Sequence, residues 1–334
     1  MRIAVVYSLP TKRALASPFL ATDEDTRDSA LEVQAALKAK GARPFLVPVS
    51  EHAIDTISAI SADAVFNLIE WTGVDLPLSL EAISRIEALG IPYTGASREN
   101  FEKTSDKIKM KEALDVIGIP TPRWQLFTKG DEPPRADFRF PVIMKLAWEH
   151  CSVGLTRDAV VEKPQSLNAL AHERIRVFGQ PVYAEEFISG RELQVTILEK
   201  AGKPVVLPAA EIVFRGGNAD NFLTFEGRWN EKHADFKASK VIRATLPEML
   251  ERELLQLSEH IFTAIGFCDY ARWDIRLRGK EIFVLETNSN PGLGDSDEYG
   301  MTVSYKAAGM TFDDFIWGII VSCCRRYSKK ILLK

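Results

Sequence analysis

DYARWDIRLRGKEIFVLETNSNPG, residues 269–292, is the stretch on which both the fold and the chemistry turn. Two apolar-rich runs, Tyr270 to Leu277 and Glu281 to Leu285, flank a short charged turn, Arg278-Gly279-Lys280, as in a β-hairpin. Arg272, Asp274, Glu286 and Asn288 all fall at even positions. Side chains alternate along a strand, so the members on each strand share a face. Pairing symmetric about Gly279 would send all four to the same side. Two carboxylates and an amide oxygen beside an arginine make a hard-oxygen site, suited to Mg²⁺ with bound phosphates. That points to metal-assisted phosphoryl or acyl-phosphate transfer. A plainer reading is also open, in which Arg272 only neutralises Asp274 at a solvated strand end.

Working outward, 334 residues suffice for two or three domains with substantial cores. A hydrophobic fraction of 46% with 26% charged residues is ordinary for a globular protein. A net charge of −4 gives no electrostatic case for nucleic acid or an acidic membrane surface. The basic residues Arg325, Arg326, Lys329, Lys330 and Lys334 read as a solvated helix end. Phe315 to Val321, the longest apolar run, is too short to span a bilayer, and Met1 to Tyr7 suits a buried strand better than a signal peptide. Four cysteines without CxxC or Cys/His spacing make no disulfide framework, so a reducing, cytoplasmic setting is expected.

Residues 1 to 95 alternate strand and helix. Strands are expected at Arg2 to Tyr7, Pro44 to Val49, Ala62 to Glu70 and Ile91 to Thr94, with helices at Asp28 to Lys40 and Leu80 to Leu89. This rhythm argues a parallel sheet with ligands beyond its carboxyl edge, near Ser8 to Glu24 and Asn67 to Asp75. A lysine-rich helix at Lys103 to Ile117 follows. A small α+β unit comes next, with strands Pro141 to Leu146 and Val182 to Phe187 around a helix Ser166 to Phe178. Beyond it lie strands at Leu193 to Glu199 and Pro204 to Ile212, a long amphipathic helix Glu248 to Ile265, the hairpin, and a final helix Phe312 to Tyr327.

Three further segments carry possible chemistry. Lys145 ends an apolar strand before a loop containing Ser152 and Gly154, a place for a nucleotide phosphate or an ordinary turn. Glu185 to Glu192 combines an extended strand, a Ser-Gly turn and several carboxylates, able to meet an adenine edge and ribose hydroxyls or to act as a charged strand edge. Lys107, at a helix start, could reach phosphates or pair locally.

IPYTGAS (91–97), SDKIKMK (105–111), VIMKLAWEHCSVGL (142–155), EEFISGRELQV (185–195) and the RWD…VLETNSNPG hairpin (272–292) occur in that order. Together they resemble the ATP-grasp carboxylate–amine ligases, closest to the D-alanine–D-alanine ligases, over about residues 85 to 295. The resemblance implies an α/β and α+β chain with the ATP-grasp fold in three parts. These are an N-terminal parallel-sheet, Rossmann-like substrate-side domain (1–95), a small central subdomain (96–189) and a larger C-terminal subdomain with the metal and catalytic site (190–334). It also implies that ATP lies between the last two. Lys107 and Lys145 match phosphate-binding lysines. Glu185, Glu186, Phe187 and Ile188 match the adenine-reading strand, and Glu192 the ribose-binding glutamate. Asp274, Glu286 and Asn288 match ligands of two Mg²⁺ ions, with Mn²⁺ as a substitute. Arg272 matches the arginine that meets the reacting oxygens. A homodimer acting on small-molecule carboxylates and amines, with no nucleic acid or membrane partner, is what such a family implies.

The chain departs from the D-alanine–D-alanine ligase pattern at substrate contacts. The loop after the first strand is longer and places Asp23, Glu24 and Asp25 only roughly. Asn67 to Gly73 replaces a histidine-bearing loop. His150 and Cys151 stand beside Ser152 where a glycine and a serine are expected. Arg228-Trp229 replaces a Lys-Tyr pair, and Gly294 to Tyr299 replaces a Ser-Leu element. Cys151, Ser152 and Arg228 therefore join Arg272 as candidate catalytic residues. The expectation is an ADP-forming ligase with altered substrates, a true D-alanine–D-alanine ligase being the alternative and a catalytically silent nucleotide binder the third reading.

Overall fold

The computed structural model describes residues 1–217 and 220–328, and the side chain of Lys237 lies outside that description. Lys329, Lys330 and Lys334 of the basic tail therefore lie outside the described residues.

In chain order the first part holds β1 (Arg2–Ser8), α1 (Lys12–Leu15), α2 (Ala21–Ala39), β2 (Arg43–Val49), β3 (Ala64–Leu68) and α3 (Leu76–Ala88). The strands form a parallel sheet in the order β2-β1-β3. On β1, Ile3 and Val5 enter one core while Ala4 and Val6 enter another, as expected of a parallel strand covered on both faces. Two expectations change here. The segment after β1 is largely helical, with α1 capped by Thr11, and α2 begins well before Asp28. The strand expected at Ile91 to Thr94 is a single bridge from Tyr93 to Val65.

Next come α4 (Arg98–Ser105), α5 (Lys107–Val116), β4 (Trp124–Phe127), β5 (Val142–Leu146), β6 (Val160–Val161), α6 (Pro164–Phe178) and β7 (Val182–Glu186). The one lysine-rich helix expected is two. Asp106 leaves helical geometry (φ −89°, ψ 108°) and its carboxylate caps Ile108 and Lys109. The strands pair antiparallel in the order β4-β7-β5-β6, and α6 covers one face through Leu167 and Ala171.

The last part holds β8 (Arg191–Lys200), β9 (Lys203–Val206), β10 (Ala210–Phe214), α7 (Phe225–Trp229), β11 (Ser239–Arg243), α8 (Glu248–Ile265), β12 (Tyr270–Arg278), β13 (Glu281–Asn288), α9 (Gly300–Ala307) and α10 (Phe312–Arg326). Its sheet runs β11-β10-β8-β12-β13, with β9 paired to β8. The strand expected at Pro204 to Ile212 is thus two, broken around Pro208, which has no amide hydrogen to donate. Leu250, Leu254, Ile261 and Ile265 give α8 its buried stripe, and Gly266 ends it with φ +82°.

The cores cross these parts. Met110 and Leu114 of α5 pack with Val195, Trp273 and Ile275 of the last sheet. Phe315 and Ile319 of α10 pack with Ile3, Val5 and Leu37 of the first part. Arg325 and Arg326 are exposed, as expected of the basic helix end, but Arg326 is also anchored. It donates to Asp269 (2.9 Å) and to the Tyr93 carbonyl (2.7 Å), because Asp269 is fully buried and needs a cation.

Candidate active site

The hairpin turn places Arg278 opposite Glu281, so the strands pair about the Gly279–Lys280 bond and not about Gly279. Carried through, that register would set Asp274 against Leu285 and turn Glu286 into the core beside Trp273. A β-bulge prevents this. Ile275 faces Val284, but Asp274 faces Glu286, leaving Leu285 as the extra residue on β13. From there Arg272 faces Asn288, and all four even-numbered side chains share the cleft face. The amide of Val284 donates to the Pro120 carbonyl (2.8 Å), and the Val284 carbonyl accepts from Thr121 Oγ1 (2.9 Å), so this edge strand is tied down beside its bulge.

A cavity of about 170 Å³ opens between this hairpin, the ends of β5 and β7, and the loop after β3. Every candidate catalytic, nucleotide-binding and metal-binding residue lines it: Arg272, Cys151, Ser152 and Arg228, then Lys107, Lys145, Glu185, Glu186, Phe187, Ile188 and Glu192, then Asp274, Glu286 and Asn288.

Its charges are arranged in pairs. Arg272 donates to both oxygens of Asp274 (2.9 Å each). Glu286 meets Lys107 Nζ at 2.5 Å and His150 Nδ1 at 3.0 Å. Burial alone would raise the Glu286 pKa, but Lys107 and His150 outweigh it and hold the group well below the usual carboxylate range. The Asn288 amide is best satisfied with its nitrogen donating to Glu286 (3.3 Å) and its oxygen accepting from Arg272 (3.3 Å).

Glu185 is wholly buried between Lys145 and Lys111, each at 2.6 Å. Burial raises its pKa, yet the two ammonium groups win and lower it. Its carboxylate is therefore committed to lysines, while the amides of Glu186 and Phe187 donate to the Arg123 and Pro141 carbonyls (2.9 Å each). Glu192 is likewise engaged, by Arg276 at 2.7 Å. Arg276 also donates to the Ile188 carbonyl (3.0 Å) and to that of Asn221, and sits over the Phe187 ring. Phe187 and Phe222 stand edge to face at 5.9 Å, an apolar wall able to cover a flat heterocycle.

The loop after β5 turns through Cys151 (φ +54°) and Ser152 (φ +62°). Ser152 Oγ donates to the Leu223 carbonyl at 3.0 Å. Burial pushes the Cys151 thiol up to about 11, so it stays a neutral thiol at neutral pH and not a nucleophile. Arg228 stacks over Trp229, whose Nε1 donates to the Cys151 carbonyl at 3.0 Å. In the acidic run after the hairpin, two carboxylates have partners. Asp295 bonds Tyr305 and Lys306, and Asp297 bonds Lys306.

Glu70 and Tyr299, from two segments that depart from the family pattern, also line the cavity, as does Arg276, which was not singled out from sequence. Arg276 has the same parity on β12 as Arg272 and Asp274, a signal that was available. Glu70 follows β3 at the carboxyl edge, the general position for a ligand contact. Removal from water pushes its pKa up to about 7, with the like charge of Asp25 adding to the effect against nearby His150 and Arg272.

Among the described residues, no group of three or more His, Cys, Asp and Glu side chains converges as a metal site. The set here is two carboxylates and an amide. It fits a hard divalent cation whose remaining ligands are waters or phosphate oxygens.

A family model described as "D-ala D-ala ligase C-terminus" matches residues 113–321. The uncharacterized protein y4sG of Sinorhizobium fredii is 32% identical over 270 residues, 80% of this chain and 77% of its own length. A D-alanine--D-alanine ligase of Cupriavidus metallidurans is 30% identical over 299 residues, 87% of this chain and 84% of its own. The D-alanine--D-alanine ligase of Bacillus anthracis superposes with a TM-score of 0.76 at 23% identity, covering 98% of this chain and 99% of that one. Its complex with ATP gives a TM-score of 0.72 at 21% identity, with the same coverage. At those identities the structures share the fold. No single helix among the described residues is long and apolar enough to cross a membrane. With over half of the chain matched by the family model and relatives at 30% identity or more, the chain belongs to the D-alanine–D-alanine ligase family, ATP-grasp enzymes that form C–N bonds with ATP.

Proposed function

We propose that this enzyme is an ADP-forming ligase that joins an amino acid or amine to a carboxylate through an acyl phosphate, with substrates other than a pair of D-alanines. The observation that carries it is the meeting of Lys107, Lys145, Arg272, Asp274 and Glu286 on one cleft. In this reading the 96–189 and 190–334 parts close on ATP and the 1–95 part brings substrates. The reaction is cytoplasmic and the enzyme a homodimer, which sedimentation equilibrium would test.

A carboxylate and a triphosphate repel each other. Lys107 and Lys145 hold the phosphate oxygens and remove much of that repulsion. Asp274, Glu286 and Asn288 would hold Mg²⁺, or Mn²⁺, which supplies further charge neutralisation to the polyphosphate when bound. A substrate carboxylate oxygen attacks the γ-phosphorus, and the bond to the β-phosphate oxygen breaks, releasing ADP. The amine nitrogen then attacks the acyl carbon, phosphate leaves, and the nitrogen gives up a proton. Arg272 donates to the oxyanion of the tetrahedral intermediate, a contribution of about 3–4 kcal/mol for a preorganised donor. The Glu286→Gln variant is expected to lose at least about a hundredfold in kcat, on the scale of a lost transition-state contact, with circular dichroism unchanged. Activity at the parent level would remove the metal assignment.

The altered substrates rest on Glu70, His150, Cys151 and Arg228, which line the same cleft and stand where the chain leaves the family pattern. A phosphate-release screen of carboxylate and amine pairs tests this. The second reading, a true D-alanine–D-alanine ligase, is favoured by relatives that carry that name. D-alanine alone turning over faster than every other pair would establish it and remove the first.

A further inference from the structure

Beyond Arg272 the cleft continues into a second chamber of about 150 Å³, close to the first in size. The two share Gln194, Leu223, Arg228, Arg272 and Tyr299 as walls, so the second is reached from the reacting centre. Its lining is mixed: Trp229 from α7, Phe236, Val241 from β11 and Met301 from α9 supply the apolar part, beside polar Gln194, Ser239 and Tyr299. Arg228, a wall of both chambers, makes no ion pair among the described residues, and its guanidinium carbon lies 5.4 Å from the centre of the Trp229 ring. Arg272, by contrast, is already committed to Asp274. Lys240 and Glu298, opposite in charge, are also in the lining. The walls are tied down. Trp229 is bonded to the Cys151 carbonyl, Leu223 to Ser152, and Gly227 to the Thr224 cap at 3.0 Å.

We infer that this chamber seats the amine substrate, and that this substrate carries a carboxylate, received by Arg228, and a large apolar side chain, received by Trp229, Phe236, Val241 and Met301. The inference rests on the ligase reading above and narrows it to a substrate class. Size decides between occupants. A water position takes about 10–15 Å³ of such space, so the chamber has room for on the order of ten. A methyl side chain fills one or two of these and leaves the apolar side chains facing water. Each further methylene buried against those side chains is worth roughly tenfold or more in kcat/KM. A side chain of leucine or phenylalanine size therefore gains over alanine in the same site.

The test uses the full chain with ATP and Mg²⁺, following ADP release for amino acids of both configurations, each against one panel of carboxylates. With a common carboxylate partner, leucine-sized or aromatic amines are expected to exceed alanine and glycine at least tenfold in kcat/KM. Filling the chamber with Met301→Trp should cut that ratio tenfold or more, and Val241→Trp, on the edge strand, gives the same readout should the first variant not fold. Glycine or alanine as the best amine would overturn the inference while leaving the ligase reading standing. So would a preference for large amines that both filled variants retain. ADP release with no pair at all would sink the ligase reading, and the inference with it.

Discussion

At the residue scale the cleft is governed by charges that share counter-charges. Glu185 is held by Lys111 and Lys145 at once, and Lys111 also donates to Thr121 (2.6 Å), which bonds the Val284 carbonyl at the bulge. Burial lowers the Lys111 pKa against the pull of Glu185, so this ammonium is retained at a cost. Lys111→Met leaves Glu185 with Lys145 alone. A loss of up to about 3 kcal/mol is expected, the full penalty of an unpaired buried charge being avoided; urea denaturation measures it. Glu70 titrates the other way. Its pKa rises from 4.5 unfolded to about 7 folded, so the folded state binds more protons between those values. Stability therefore falls as pH rises through that window. Glu70→Gln should leave stability at pH 4 nearly unchanged and raise it at pH 8 by about 2–3 kcal/mol; equal effects at both pH values would contradict the assignment. Lysines and carboxylates were legible as types, but which of them pair was not. Glu185 and Lys111 are 74 residues apart and meet only because α5 packs beside β7.

At the element scale the decisive device is one extra residue. The alternation of Arg272, Asp274, Glu286 and Asn288 could be read from the chain, yet the two-residue turn alone would have put Glu286 in the core. Leu285 as a bulge restores the face. A bulge has no period-2 signature, so sequence patterning cannot place it. Deleting Leu285 removes the extra residue and leaves Glu286 opposite Asp274 in regular pairing, so ATP turnover is expected to persist; abolished turnover with unchanged circular dichroism would disprove the bulge. Asp106 acts in the same way on the helices, ending α4 and capping α5 so that Lys107 enters the cleft from the first helical turn. Gly190 joins the central sheet to the last one with φ +145°, and a Cβ there would lie 1.9 Å from the Leu277 carbonyl oxygen. Gly190→Ala should therefore cost at least about 2 kcal/mol, from backbone strain and a backbone contact that cannot yield; calorimetry reads it as a lowered Tm.

At the scale of the whole molecule, the first and last parts are joined by hydrogen bonds of Gly95 and Tyr93 with an Asp269–Arg326 ion pair and by a shared core. Asp269 accepts from Gly95 and Arg326 (2.9 Å each), and Arg326 reaches back to Tyr93. Arg326→Ala would strand a carboxylate that is fully buried, a loss of about 3–5 kcal/mol. A reduced unfolding midpoint is the expected measurement, and an unchanged one would show that the joint carries little. Basic residues at a helix end are usually solvated, and the sequence carries no local sign of this pairing, because the partner lies 57 positions away. What the sequence determined by itself was the alternation of strands and helices, the parallel N-terminal sheet, and the side-chain types that meet nucleotide and metal. Those follow from local periodicity and from motifs within single segments. Only the tertiary structure decided the hairpin register, the sharing of Glu185 between two lysines, the entry of Glu70 and Arg276 into the cleft, and the second chamber behind Arg272. Each depends on packing between segments far apart in the chain, where one bulge or one crossing helix sets which side chains face each other.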